Sequence, residues 1–403
     1  MASAALTALT STKAPYVLDE VSARRVWNWL LVRQGLADTH RLTTATQVAD
    51  ATLGLHAARL SSPYVIVAAR TGDPGAPASL FTPAVRTQLI TVRCMRKTLH
   101  SLPLHLAVAA HAATLRFRDR DVRRAILKAD QTPAVIDRAV DDLCLLLQQD
   151  GALHHRIIET RLTSRNRDIR TIRLALKVAW ERGKVVYLNT TTAWNREVRT
   201  FALTAAVYPD LNFNLTPGDA VSTLVAAYFD RYGPATIRDA SWWSGLSAAD
   251  MITALRETGR QIVRVDTPWS SDPTLMFADR LEEFRDADDV VTGVQFAAHE
   301  DSALKAYFQT RHRYLSDLPK RRAFNQIGEA LPTVIADGVV VGTWSWNTQT
   351  RSVDVSLVRG RLSTPVRRQV RSRAAALTET LRRAWTPRPP TSVHAGDWPS
   401  RPR

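Results

Sequence analysis

The stretch that most limits what this chain can fold into is GPATIRDASWWSGLSAADMITALRETGRQIVRV, Gly233 to Val265. Thr236 stands three residues before Asp239, and Ser247 three before Asp250. Each hydroxyl–carboxylate pair can satisfy free backbone N–H groups at a helix start. Gly245 falls between the two helices so marked, while Ile237, Ala240, Trp243, Met251, Ile252 and Leu255 recur at helical spacing and are expected to share a core. The order helix, tight turn, helix, strand is that of a winged helix, an element that holds one helix against nucleic acid. A plain helical hairpin would carry the same caps, so a DNA role needs support from charge.

The helix–helix–strand pattern occurs about three times. The first copy has helices near Val21–Gln34 (ending at Gly35) and Ala45–Leu55, a short apolar helix near Tyr64–Ala69 and another helix from Pro83. VRCMRKTLHSLP, Val92–Pro103, follows as a strand pair or wing. In the second copy a helix near Ala134–Gln149, a turn at Gly151 and a basic helix near Ile169–Arg182 precede strands Lys184–Asn189 and Val198–Leu203. Turn-rich Tyr208–Asp219 reads as a linker to the third copy. Beyond about Val290 the character changes. Pro332–Trp346 holds two β-branched runs around Asp337-Gly338, a strong hairpin signal, and Arg351–Val358 alternates as a further strand. The last helix, near Pro365–Trp385, places Val366, Val370, Ala374, Leu377, Leu381 and Trp385 on one stripe and Arg367, Arg368, Arg371, Arg382 and Arg383 off it. The fold class expected is α+β, mainly helical. Its parts are a disordered N-terminal tail (1–17), three winged-helix units (18–118, 119–210 and 211–289), a small β-rich domain closed by a helix (290–386) and a disordered, basic, proline-rich tail (387–403).

Charge supplies the support. The chain carries 54 Lys and Arg against 38 Asp and Glu, a formal +16, which favours a polyanion as partner. An arginine-biased genome would account for part of the excess, but the distribution is uneven. Residues 93–124 hold eight basic and two acidic side chains, 151–210 eleven and five, and 351–403 twelve and three, whereas 266–310 hold ten acidic and three basic. A basic concave surface and one acidic outer face are expected. RLTSRNRDIRTIR, Arg161–Arg173, is either a solvated arginine helix or a phosphate-contacting one, through Arg165, Arg167, Arg170 and Arg173. Cys94 and Cys144 have no metal-ligand spacing and read as free thiols in a reducing compartment. His105, His111 and His154-His155 are scattered, and acidic Glu282–Asp289 lacks the glycine and ligand spacing of a calcium loop. No nucleotide-binding glycine motif and no G-x-S-x-G elbow occurs, so no cofactor and no metal is expected. The N-terminus lacks a secretory pattern, and no apolar run is long enough to span a bilayer. The expected place is the cytoplasm, on the nucleoid.

Four segments carry a family likeness: LGLHAARLSSPYVIVAAR (Leu53–Arg70) with VRCMRKTLHSLP, YGPATIRDASWWSGL (Tyr232–Leu246), RHRYL (Arg311–Leu315) and PTVIADGVVVGTW (Pro332–Trp344). From about Asp19 to Trp385 the chain resembles the tandem winged-helix proteins related to the AlkZ and YcaQ DNA glycosylases. The resemblance implies three winged helices in a C-shape, a barrel-like β-rich C-terminal domain and a basic cleft for double-stranded DNA. It implies release of alkylated or bulky purine adducts in DNA repair or self-resistance; a monomer is expected. In that family a Gln-x-Gln or Gln-x-Asp motif holds the attacking water; here the place reads His56-Ala57-Ala58. Neutral imidazole can orient or deprotonate a water, so His56 is the candidate catalytic residue, although a lone histidine at a helix end more often only caps or packs. Ala58 can do neither task. Arg59, Arg93, Arg96, Lys97 and Arg311 join the four arginines of 161–173 as candidate DNA contacts. Strand alternation would put Arg96, Thr98 and His100 on one face and Lys97 on the other. The alternative is a regulatory or lesion-sequestering DNA binder without chemistry.

Overall fold

The structure, a computed structural model, describes residue 9 and residues 14–164, 168–290, 292–315, 318–358 and 362–386. It is mixed α+β, with roughly half of the described residues in helices. Its strands are β1 (Tyr16–Val17), β2 (Leu55–His56), β3 (Leu89–Arg93), β4 (Leu99–Pro103), β5 (Leu153–His154), β6 (Val185–Asn189), β7 (Arg199–Leu203), β8 (Ile262–Thr267), β9 (Ser270–Phe277), β10 (Val294–Ala297), β11 (Thr333–Ala336), β12 (Val339–Asn347) and β13 (Ser352–Leu357). They form three sheets, ordered β2-β4-β3-β6-β7-β5, β1-β8-β9 and β10-β11-β12-β13.

The first sheet joins the strands of the first two repeats. The expected strand pair at Val92–Pro103 is the β3–β4 hairpin, and β3 meets β6 at one register pair, Thr91 with Tyr187. After β4 the chain enters a helix of 25 residues, Leu104–Lys128, which the repeat pattern did not suggest. Its buried face is rich in alanine and includes His111, Thr114 and Arg118, so its hydrophobic periodicity is weak.

In the third repeat, helices Ile237–Ser244 and Ala248–Glu257 both start in capping boxes, Thr236 with Asp239 and Ser247 with Asp250. Gly245 ends the first helix at φ 83, a left-handed conformation natural to glycine. Asp239 is fully buried and does more than cap: its Oδ1 accepts the backbone N–H groups of Phe308 and Gln309, each at 2.7 Å, and so fastens a distant loop to this helix start. β1 pairs in parallel with β8, so Tyr16 and Val17 belong to a sheet rather than a tail. Residues 387–403 lie outside the described part.

The C-terminal strands form an open antiparallel sheet, not the barrel expected: β10 and β13 remain its edges. Four strands are too few to wrap around a packed interior. Helix Thr364–Arg383 covers the sheet instead, burying Val370, Leu377 and Leu381. Asp337 and Gly338, at φ 46 and 78, make the expected tight turn between β11 and β12. Gly342 lies where a Cβ would stand 2.4 Å from the Ser356 carbonyl oxygen and 2.9 Å from Leu357 Cα. Gly342→Ala is therefore expected to push β12 from β13 and cost about 1–3 kcal/mol in urea unfolding. Among the described residues no helix is long and apolar enough to cross a membrane.

Candidate functional site: a buried polar cluster around His56

The helix Ala45–Ala51 opens with a Thr44–Gln47 capping box. After it the chain turns sharply through Leu53 at φ 50 and Gly54 at φ 99. A Cβ on residue 54 would lie 2.2 Å from the Leu102 side chain, so only glycine fits this approach. The turn stops the helix short of Leu55 and lays Leu55 and His56 against Ser101 and His100 of β4. His56 is thus a strand residue, not a helix cap. Ala58, two positions on, is exposed.

His56 is 4% exposed, yet its surroundings are polar. The His100 ring meets it edge to face at 5.3 Å, the His299 ring lies at 6.5 Å, and Glu300 Oε2 is 3.9 Å from its Nε2. Neither ring nitrogen of His56 has a protein hydrogen-bond partner. Burial holds the ring's pKa well below the usual histidine value, helped by the nearby Lys305 ammonium. The ring is therefore neutral near pH 7, with one donor and one acceptor nitrogen to offer. His100 is more constrained: Nδ1 contacts the Thr98 carbonyl oxygen at 3.2 Å and Cys94 Sγ at 3.6 Å, and burial pushes its pKa down to about 3.

Glu300 comes from the loop after β10. Its φ of 56 is left-handed, a strained conformation for a side chain of this size. The Ala330 N–H donates to its Oε1 at 2.7 Å, and the buried Lys305 ammonium pairs with its Oε2. The next residue, Asp301, receives both Nη groups of Arg70 at 2.6 and 2.9 Å, with both side chains wholly buried. That fork ties helix Ser61–Arg70 to the loop and sets Glu300 over β2. Towards solvent, Glu329 Oε2 lies 3.5 Å from His299 Nε2 and 3.7 Å from Arg59 Nη2; the Arg59 side chain is 60% exposed. The acidic segment 266–310, expected as one outer face, therefore includes two buried carboxylates, Glu300 and Asp301.

The candidate DNA contacts divide into three groups. Arg96 and Lys97 occupy the β3–β4 turn at φ 51 and 62, so the two-residue alternation expected of a strand does not apply to them. Arg96 lies over the Trp242 ring at 3.5 Å, and Trp242 stacks on Phe308 at 5.3 Å. Arg311 is 5% exposed and packs 4.1 Å from Phe324 and 4.9 Å from Phe308. Arg96 and Arg311 thus converge on one aromatic cluster. Arg93 and Lys97 pair with acids instead: Arg93 with Glu181 at 2.6 Å and Lys97 with Asp121 at 2.9 Å. On the second repeat's basic helix, Arg170 is exposed and Arg173 pairs with Glu159 at 2.8 Å, while residues 165 and 167 (Arg165 and Arg167) lie outside the described part. The reading of the sequence did not single out the exposed Arg116, Arg120 and Arg124 on helix Leu104–Lys128, nor His299, Glu300 and Lys305. The last three carry no local signal, because only tertiary packing brings them to His56.

Cavity size does not mark this chemistry. A concavity of about 1010 Å³ lies elsewhere, between Trp27, Trp269 and Arg313. A smaller one of about 120 Å³ is lined by Ala57, Thr91 and Ser101, which alternate with His56, Val92 and His100 and so face the other side of the sheet. The buried polar cluster is what can hold a water and accept a proton. No group of metal-ligating side chains occurs among the described residues.

The family model for AlkZ-like DNA glycosylases matches residues 49–383. The solved structure of Streptomyces sahachiroi DNA glycosylase AlkZ is similar in fold, with a TM-score of 0.70 at 22% identity over 90% of this chain and 98% of that one. No curated protein matches the sequence.

Proposed function

The chain belongs to the AlkZ-like DNA glycosylase family, and from that premise we propose that it is a monofunctional glycosylase acting on alkylated or bulky purines in double-stranded DNA. The helix–helix–strand repeats serve as tandem winged helices (18–118, 119–210 and 211–289) that grip the duplex as a monomer, and residues 290–386 complete the site. One observation carries the reading: a buried, neutral His56 whose ring nitrogens have no protein partner, 3.9 Å from a carboxylate. Hydrolysis of an N-glycosidic bond passes through a sugar of oxocarbenium character, and a water must be held at its anomeric carbon. An N7-alkylated purine is already cationic and leaves readily, so orienting the water matters more than protonating the base. Damaged bases also unstack at lower cost, which helps bring the nucleotide to a recessed site. Arg59 stands at the mouth of the cluster for a backbone phosphate near the lesion; Arg96 and exposed Arg170 extend the contact.

The test is incubation with duplex DNA carrying a single N7-methylguanine or a bulky purine adduct, followed by alkali to reveal abasic sites. Release is expected from the wild-type protein, falling about 10²-fold or more in His56→Ala with binding kept, the scale for losing a group that positions a reactant. Exposed Ala58 favours a second reading, a duplex-binding protein without chemistry. Tight binding with no release across a panel of adducts would establish that reading instead.

A further inference from the structure

We propose that Glu300 receives the proton of the attacking water, and so supplies the polar group that Ala58 does not. The inference rests on the glycosylase reading and names a second catalytic residue for it. Three observations support Glu300. First, its carboxylate is the only one described with an oxygen within 4 Å of the His56 ring nitrogens: Oε2 is 3.9 Å from Nε2. That gap is too long for a direct hydrogen bond. A water about 2.8 Å from each atom would bridge it with an angle of roughly 90° at its oxygen, within the range of water-mediated contacts. Second, the carboxylate retains acceptor capacity. A carboxylate has about four lone-pair sites, and Glu300 has two protein partners, the Ala330 N–H and Lys305 Nζ. Third, the backbone is held in a left-handed conformation, φ 56, which the Arg70–Asp301 fork beside it maintains. Strain of this kind persists only where neighbouring contacts enforce it.

The other nearby groups are less suited. His100 is engaged with Thr98 and Cys94, and Lys305 is the cationic partner of Glu300. His56 is neutral and reluctant to take a full proton, so it orients the water rather than deprotonating it. In the step, the water oxygen bonds to C1′ of the deoxyribose as the C1′–N9 bond breaks. The bonding electron pair leaves with the purine, which neutralises an N7-alkyl cation. One water proton passes to Glu300 Oε2, and the hydroxyl remains on C1′ as the abasic site. The carboxylate also faces the positive charge that develops on the sugar.

The experiment compares the full-length wild type, Glu300→Gln and Glu300→Gln/Lys305→Gln in single-turnover release of N7-methylguanine from a duplex, with DNA affinity measured alongside. The double variant leaves no buried charge without its counter-ion, so loss of the fold is not its expected effect. Both variants are expected to bind as the wild type does and to release base about 10²–10³-fold more slowly, the loss typical of a positioned general base. Wild-type release that either variant preserves, or that the double variant recovers, would overturn the assignment and leave Glu300 as the Lys305 counter-ion while the glycosylase reading stands. Absence of release by the wild type from every adduct that it binds would overturn both.

Discussion

Arg70→Met is expected to destabilise the protein by about 3–5 kcal/mol, the scale for breaking a buried ion pair by removing one partner. Arg70 and Asp301 are both wholly buried, and the fork between them is bidentate. Without the guanidinium, the Asp301 carboxylate would stay in the interior with only the N–H groups of Ala298 and Ala303 for partners, at 3.3 and 3.0 Å. The cost is the stranded charge, not the lost attraction. Arg70→Met/Asp301→Asn should therefore recover much of the stability, because an amide oxygen can still accept from those N–H groups. Urea unfolding of the three proteins checks this; a single variant within 1 kcal/mol of wild type would show that the fork is dispensable. The loop it anchors carries His299 and Glu300, so base release is expected to fall with stability in the single variant.

Acid is expected to unfold the protein well before its carboxylates are protonated. His100 and His111 are both buried, and burial pushes each pKa down from 6.5 to about 3. The sign follows from proton counting. Above pH 6.5 neither the folded nor the unfolded chain protonates these rings. Between 6.5 and about 3 the unfolded chain takes up protons that the folded chain refuses, so stability declines as pH falls. Each site contributes about 1.4 kcal/mol per pH unit, so the pair contributes about 3 kcal/mol per unit once well inside the window. His56 acts in the same direction. Over two units that is comparable to the whole stability of an ordinary domain. The urea midpoint should stay level from pH 8 to 7 and drop steeply between 6 and 4; a level midpoint down to pH 5 would contradict this. Catalysis should show no inflection at 6.5, since His56 stays neutral through that region.

What could be read from the sequence was local chemistry. The caps at Thr236 and Ser247, the left-handed glycine at 245 and the Asp337-Gly338 turn depend on neighbours within a few residues, and each is where the pattern placed it. Elements whose buried faces mix polar and apolar residues escaped. Helix Leu104–Lys128 buries His111, Thr114 and Arg118, and β9 contains Pro273 and begins with three polar residues, so neither shows a clean period. The candidate site was half legible. His56 stood out as a candidate, but its strand depends on the Gly54 turn against Leu102, a contact made across the sheet. Glu300 and Lys305 looked like two more charges in an acidic stretch. Their burial follows from the Arg70 fork and the Ala330 N–H, and nothing near them in the chain announces either.

The polar cluster is assembled from opposite ends of the polypeptide, with His56 and His100 near the start and Glu300 and Lys305 well past the middle. Domains fold roughly in the order in which the ribosome releases them. A nascent chain can therefore complete its early arginine-bearing helices while the carboxylate is still unsynthesised. On the proposed glycosylase reading, a product terminated before residue 300 would carry His56 without the Glu300 carboxylate beside it and is expected to release no base.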